Sequence, residues 1–351
     1  MNAHDHKKIR VLVVDDSAFI RRALIMMFNG NPDIQVIDVA SNGEMAVALV
    51  KELRPDVVTL DVKMPVLDGL SALERIMKEC PTPVIMLSSL TGKGGDNTLK
   101  ALELGAVDFV DKSSAGGPMD IAALASGLIA KIMIAARVDV GKLKGAEEEK
   151  FSAPKTPVLA AKNETEVVVI GASTGGPPAL QAVLTKIPEN IPCPILIVQH
   201  MPVGFTASLA DRLNRLCALA VKEAVDDEPI RQGTAYIAPA GMHLKLKRLG
   251  GELRIRLDLL PEDTLHRPSV DVLLESAADV CGEKTLAFVL TGMGRDGASG
   301  AQAIKNAGGR IFVESEESSI VFGMPKAVMD SVCVDGVVPL EAVVDTLIKM
   351  I

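Results

Sequence analysis

Three side chains beyond residue 165 could together cleave an ester or an amide: Ser173, His200 and Asp296. Ser173 stands in Gly171-Ala172-Ser173-Thr174-Gly175-Gly176, after the apolar run Val167–Ile170 and before a helical stretch opened by Pro177-Pro178. Small residues permit a sharp strand-to-helix turn that lifts the hydroxyl above the sheet edge. The helix N-terminus behind it would offer backbone N–H groups to an anionic intermediate. A glycine turn with a capping serine uses the same residues, so the motif needs partners. His200 ends the next apolar run, in ILIVQHMP, where it suits a general base, although a lone strand-end histidine is as readily structural. Asp296 lies in TGMGRDG after Leu286–Leu290. There it could hold the imidazole tautomer and stabilise the imidazolium, or simply cap the helix that follows. The chain order Ser, His, Asp is not the Ser, Asp, His order of α/β-hydrolases.

A second group of reactive side chains falls in the first half. Asp15-Asp16 follow the run Ile9–Val14, Asp61 follows Asp56–Leu60, Ser88 follows Pro83–Leu87 and Lys112 follows Val107–Val110. In a doubly wound sheet these strand ends share one edge, so the side chains can converge. Three carboxylates so close repel one another unless a cation joins them, and oxygen ligands with room for water favour Mg²⁺. A carboxylate beside Mg²⁺ and a lysine can accept a phosphoryl group, because both cations neutralise charge on the transferring group. The competing reading is that such acids cap the following helices, as Asp16 before Ser17 could.

The elements that must position these groups are visible in the apolar patterning. The first 137 residues alternate strand and helix five times, with helical stretches such as Ala18–Phe28, Glu44–Leu53 and Leu70–Lys78 and a fifth over roughly Met119–Arg137. Strand runs this apolar suit a parallel sheet covered on both faces. Residues 138–163 carry Gly, Pro, mixed charge and small residues and read as a linker. Residues 164–351 form a second α/β pattern, in which Met242–Leu259 alternates around Gly250-Gly251 as a β-hairpin would. The expectation is a doubly wound, mostly parallel α/β domain with one antiparallel hairpin.

Composition excludes several function classes. A net charge of −8 gives no electrostatic support to a nucleic-acid role, and 3% aromatic residues with no Trp leave few stacking platforms for single strands. The N-terminus MNAHDHKKIRVLVVDD has no apolar signal region, and no apolar run is long enough to cross a bilayer, so a cytoplasmic protein is expected. Cys80, Cys193, Cys217, Cys281 and Cys333 lie far apart without CxxC spacing, which predicts buried, reduced thiols rather than disulfides or a zinc site. The sequon Asn163-Glu164-Thr165 is then a chance occurrence.

Two other functions deserve weighing. Gly292-Met293-Gly294-Arg295-Asp296-Gly297 satisfies GxGxxG, with Glu316 and Glu317 about twenty residues on, as in a dinucleotide site. Asp296 inside the phosphate cradle would repel a pyrophosphate, however, and that reading leaves GASTGG and His200 without a role. A domain that only docks on a partner would not need the three reactive groups.

Over residues 8–135 the chain resembles the response-regulator receiver family, through VVDDS, LDVKMPVLDG, VIMLSS and GAVDFVDKS. The resemblance implies a flavodoxin-like (βα)5 fold and a phosphorylated Asp61. It also implies Mg²⁺ held by Asp15, Asp16 and Asp61, phosphoryl contacts from Ser88 and Lys112, and a switching aromatic at Phe109. Over the whole chain, GASTGG, VQHMP, APAGMH, RPSVDVL and LTGMGRDG resemble the chemotaxis methylesterases known as the CheB family. That implies a triad of Ser173, His200 and Asp296 acting on glutamate γ-methyl esters of methyl-accepting chemotaxis receptors, with methanol released and receptor glutamines also deamidated. It further implies a chemotaxis histidine kinase as phosphodonor, no cofactor for the hydrolysis, no bound nucleic acid and no direct membrane insertion. In that family the receiver covers the active-site cleft until it is phosphorylated. Backbone N–H groups of Thr174 and Met293 are the candidate oxyanion donors, and Arg267 in RPSVD faces the receptor or the cleft, or is structural.

Overall fold

The computed structural model describes residues 7–88, 94–112, 121–143 and 165–351. The tail with His4 and His6, Ser113, Asn163 and most of the expected linker lie outside these residues. The chain divides into two compact units, 1–147 and 148–351. The one described segment inside the expected linker, besides its first residues, is a 3-10 turn at Val140–Leu143 whose Leu143 is buried.

The first unit runs β1 (Ile9–Val14), α1 (Ala18–Asn29), β2 (Ile34–Ala40), α2 (Gly43–Leu53), β3 (Val57–Asp61), α3 (Gly69–Glu79), β4 (Val84–Ser88), α4 (Gly94–Glu103), β5 (Asp108–Asp111) and α5 (Ile121–Ala135). The five strands are parallel in the order β2-β1-β3-β4-β5. Every residue of β3 and β4 is buried, which is why these strands read as unbroken apolar runs. The helices start at polar caps: Ser17, Asn42 and Asp68 each accept an N–H of the first turn. Ser17 caps α1, so Asp16 is not needed there. The order reverses between β1 and β3, and the crevice at such a switch point is where α/β sheets place their ligands.

The second unit carries β6 (Val167–Ala172), α6 (Gly176–Leu184), β7 (Ile195–Gln199), α7 (Phe205–Leu216), β8 (Ala220–Glu223), β9 (Thr234–Ile237), β10 (His243–Leu249), β11 (Glu252–Asp258), α8 (Val270–Cys281), β12 (Thr285–Val289), α9 (Ala298–Asn306), β13 (Arg310–Glu314), α10 (Met324–Ser331), β14 (Gly336–Val338) and α11 (Val343–Met350). Seven strands form a parallel sheet in the order β14-β13-β12-β6-β7-β9-β8. The expected hairpin is present as a separate two-stranded ribbon, β10-β11. Gly250 and Gly251 both take positive φ, 58° and 88°, the backbone that a tight two-residue hairpin turn demands. Leu244, Leu246, Leu253 and Ile255 of the ribbon join the core with Leu273, Leu274 and Ala277 of α8. Ser276 of α8 fastens the ribbon by accepting the Leu246 N–H at 2.8 Å. From β6 the chain builds β7, β9 and β8 on one side and later β12, β13 and β14 on the other, so this unit's own switch point lies at β6 and its neighbours β12 and β7.

Candidate active site

Ser173 follows β6 on a turn held from three sides. Its N–H donates to the Thr291 carbonyl at 3.0 Å, and its own carbonyl accepts the Gly176 N–H at 2.8 Å. The Gln199 amide donates to that same carbonyl at 2.9 Å and to the His200 carbonyl at 3.0 Å. Gln199 is 1% exposed, so one buried side chain ties the backbone under Ser173 to the backbone under His200. Gly175 takes φ 79° to enter α6, a region that favours glycine. The loop after β12 packs directly on Ser173: a Cβ on Gly292 would stand 2.9 Å from the Ser173 Cβ.

His200 follows β7. Its Nε2 lies 2.8 Å from Asp296 Oδ2, and both side chains are largely buried. Asp296 receives more than the imidazole. Its Oδ2 also accepts the Val270 N–H at 2.7 Å, and its Oδ1 accepts the Ser269 hydroxyl at 2.8 Å and the Asp271 N–H at 2.9 Å. Burial alone would raise this carboxyl, but the His200 bond and charge and the amides at the start of α8 outweigh it and hold Asp296 well below the ordinary carboxylate range. An ionised acceptor on Nε2 makes that nitrogen the N–H donor and leaves Nδ1 as the basic atom. Nδ1 is buried with no hydrogen-bond partner among the described residues.

Asp296 does not cap the helix that follows it. It caps α8, and Asp271 of α8 reciprocates by accepting the Gly297 and Gly300 N–H groups at the start of α9, at 2.9 and 2.7 Å. Burial, assisted by the nearby Asp296 charge, pushes the Asp271 carboxyl up against the pull of those amides. The exchange also closes the GxGxxG loop to a dinucleotide, because amides that would cradle its phosphates are already bonded to Asp271.

The oxyanion expectation changes in one respect. The first turn of α6 supplies no spare amide, since Pro177 and Pro178 have no N–H and Gly176 donates to Ser173. Donors for a tetrahedral oxygen therefore have to come from the loops, where Thr174 is buried and Met293 follows Gly292 beside Ser173. The Thr174 carbonyl is fixed by the Thr291 hydroxyl at 3.0 Å. Arg267 has one tie within its own loop and one to the loop before β10: Nη2 donates to the Glu262 carbonyl at 3.4 Å, and its own carbonyl accepts the Gly241 N–H at 2.9 Å.

In the first unit the strand-end acids do converge. Carboxylate oxygens of Asp15, Asp16 and Asp61 lie within 4.8 Å of one another. Lys112 donates to Asp15 at 2.7 Å and to Asp61 at 2.8 Å. Burial, reinforced by Asp15 and Asp16, raises the Asp61 carboxyl despite Lys112, while the Asp61 and Asp15 charges raise the Lys112 ammonium against its own burial. Three carboxylates against one ammonium leave a surplus of negative charge that a hard divalent cation would neutralise, so the residues fit Mg²⁺. Ser88, 1% exposed, accepts the Thr98 hydroxyl at 2.8 Å, and Phe109 is buried in β5.

Sequence reasoning missed Gln199, Ser269, Asp271, His243 and His266, of which the first four brace the site and the last stacks on His200. His243 and Ser269 stand in APAGMH and RPSVD, motifs whose residue types alone do not indicate that they brace Asp296. The five thiols are all free, with Cys80, Cys193 and Cys281 buried as expected and Cys333 exposed. Burial pushes the thiols of Cys193, Cys217 and Cys281 up to about 12.

Comparison with known proteins identifies the family. A family model described as CheB methylesterase matches residues 168–347, just over half of the chain. The chain belongs to the CheB methylesterase family. A second family model, the response regulator receiver domain, matches residues 11–122. The chain is 46% identical, over 97% of its length and 98% of the relative's, to a protein-glutamate methylesterase/protein-glutamine glutaminase of Halalkalibacterium halodurans. It is 44% identical, over 98% and 94%, to a protein of the same name from Pyrococcus abyssi. The crystal structure of the Thermotoga maritima CheB methylesterase catalytic domain aligns with a TM-score of 0.52 at 45% identity, covering 53% of this chain and 98% of that one. Among the described residues no helix is long and apolar enough to cross a membrane.

Proposed function

We propose that the chain is a phosphorylation-activated hydrolase of chemotactic adaptation that removes γ-methyl esters from glutamates of methyl-accepting receptors and deamidates receptor glutamines. The observation that carries this reading is the His200–Asp296 pair, with Nδ1 left as the base at the sheet edge that also bears Ser173. Ser173 Oγ attacks the ester carbonyl carbon as His200 Nδ1 takes the hydroxyl proton. Asp296 accepts the hydrogen bond from Nε2–H throughout, leaving that proton on His200, and stabilises the imidazolium. N–H groups of Thr174 and Met293 stabilise the tetrahedral oxygen. On collapse the C–O bond to methoxide breaks, His200 returns the proton, and methanol leaves an acyl-serine. Water, deprotonated by His200, then releases the glutamate carboxylate and regenerates Ser173. A glutamine side chain follows the same course with ammonia as leaving group.

Regulation is proposed to enter at Asp61, the phosphoryl acceptor, with a chemotaxis histidine kinase as donor. Asp15, Asp16 and Asp61 would hold Mg²⁺, which supplies charge neutralisation to the transferring phosphoryl group. Lys112 holds Asp61 in place and offers a second positive charge, and Ser88 offers a hydroxyl to the phosphoryl oxygens. The cytoplasm is the proposed compartment, consistent with free thiols. The receiver is proposed to span 1–137 and the catalytic domain 164–351, joined through residues 138–163. The test is methanol release from a methylated receptor fragment with and without a small-molecule phosphodonor and Mg²⁺. Release that rises with the donor supports the reading, and absence of release under both conditions contradicts it.

A further inference from the structure

His266 is the residue beside the site that the mechanism leaves unused. Its ring stacks on His200 with centroids 4.1 Å apart and an interplanar angle of 26°. His266 itself is exposed, whereas the His200 side chain is 7% exposed. The His266 ring therefore lies on the solvent side of His200.

The loop that presents His266 is anchored on both sides. His243, fully buried at the start of β10, places Nε2 3.1 Å from the Pro261 carbonyl and 3.3 Å from the Thr264 hydroxyl. Its Nδ1 accepts the Ser269 N–H at 3.3 Å. Gly241 donates to the Arg267 carbonyl from the other side. Ser269 in turn donates its hydroxyl to Asp296. One buried imidazole thus joins the loop of His266 to the serine that fixes the carboxylate.

The bond to Asp296 restrains one atom of the His200 ring. A ring held at Nε2 alone can still tilt about that bond, and a tilt swings Nδ1, the atom that must meet the serine hydroxyl. A flat group against the ring face removes that freedom. It also places a π face within cation–π range of the imidazolium formed when His200 takes the proton.

We infer that His266 is a positioning residue for His200, holding the base by its face while Asp296 holds it by its edge. The inference rests on the reading of His200 as general base. It is a different claim from substrate contact, which an exposed residue at this place could also make.

The experiment measures kcat and KM for methanol release from a methylated receptor fragment, using full-length protein with phosphodonor and Mg²⁺. Wild type, His266→Ala, His266→Phe and His200→Ala are compared, with thermal melts confirming the fold. A misplacement of about 1 Å costs up to about 100-fold in rate, so His266→Ala should lose roughly 10- to 100-fold in kcat with KM little changed. His266→Phe keeps a flat face and should recover kcat to within a few fold of wild type. Wild-type kcat in His266→Ala, a change confined to KM, or a phenylalanine variant as slow as the alanine variant would each overturn the inference. Activity surviving in His200→Ala would instead overturn the underlying assignment of the base.

Discussion

Replacing Asp296 by Asn keeps the shape of the side chain and removes its charge, and the structure makes the consequences specific. Four donors converge on the two oxygens: His200 Nε2 and the Val270 N–H on Oδ2, the Ser269 hydroxyl and the Asp271 N–H on Oδ1. An amide has one acceptor and one donor end, so each orientation fails somewhere. With its NH2 toward His200, it opposes the Val270 N–H and forces the imidazole into the tautomer with the proton on Nδ1, which destroys the base. With its NH2 on the other side, it opposes the Asp271 N–H at the start of α8. By analogy with other triads the tautomer error costs about 10³–10⁴ in rate, or about 4–5.4 kcal/mol of transition-state stabilisation. Loss of one hydrogen bond to a charged group costs about 1.5–3 kcal/mol, which for a domain of this size lowers Tm by roughly 3–12 °C. The stability difference has a sign in pH. Because the folded protein holds Asp296 below its ordinary value of 3.8, the stabilisation is full above that pH and fades as acid protonates the native carboxylate. The gap between wild-type and variant melting temperatures should therefore close in strong acid. The assay is methanol release for kcat/KM together with melts at neutral and acid pH. A folded Asp296→Asn protein within tenfold of wild-type kcat/KM would refute the assignment of Asp296 as the group that orients His200.

Asp61→Asn removes the phosphoryl acceptor at nearly constant volume, so stimulation by phosphodonor plus Mg²⁺ should vanish while basal hydrolysis remains. Acid-labile phosphate incorporated at the wild-type level would contradict this. Mg²⁺ should raise the melting temperature of the wild-type receiver by mass action on its three carboxylates, EDTA should reverse the shift, and Asp61→Asn should shift less; equal shifts in both proteins would argue against Asp61 as a ligand. A fragment beginning near Val158 should hydrolyse faster than the unphosphorylated full-length protein and ignore phosphodonor, and a folded fragment no faster would show that the receiver does not restrain the hydrolase. Burial, with lesser contributions from Arg267 and Lys245, holds the His243 imidazole below its usual value of 6.5. Its share of stability is thus present above that pH and falls as pH drops toward the lower folded value. Melts between neutral pH and pH 5 should show a shallower decline in His243→Gln than in wild type, and parallel curves would exclude this contribution.

The strand-end positions of the candidate groups are legible because each follows an apolar strand run. Parallel strands buried on both faces leave unbroken apolar stretches, and in a doubly wound sheet their C-terminal ends share an edge. Asp15, Asp61 and Lys112 are legible for that reason, as are Ser173, His200 and Asp296. Strand limits shift by one residue at β3, β4 and β5, where the ladder takes in the polar end residues Asp61, Ser88 and Asp111. The short strands β8, β9 and β14 leave too little periodicity to be recognised. What braces the site is less legible still, because it acts through contacts far apart in the chain. Gln199 reaches the Ser173 carbonyl, Asp271 and Asp296 exchange helix caps, and His266 meets His200 across 66 positions. One signal was available: with five histidines in the chain, two of them in APAGMH and HRPSVD were worth a structural role.

The central claim is that Ser173 forms the bond to the substrate, and the most direct test is methanol release by a Ser173→Ala protein given methylated receptor fragment, phosphodonor and Mg²⁺. The variant should melt as wild type does, take up phosphate at Asp61 normally, and release no methanol above the uncatalysed background. Methanol release at the wild-type rate from that folded, phosphorylated variant would contradict the account.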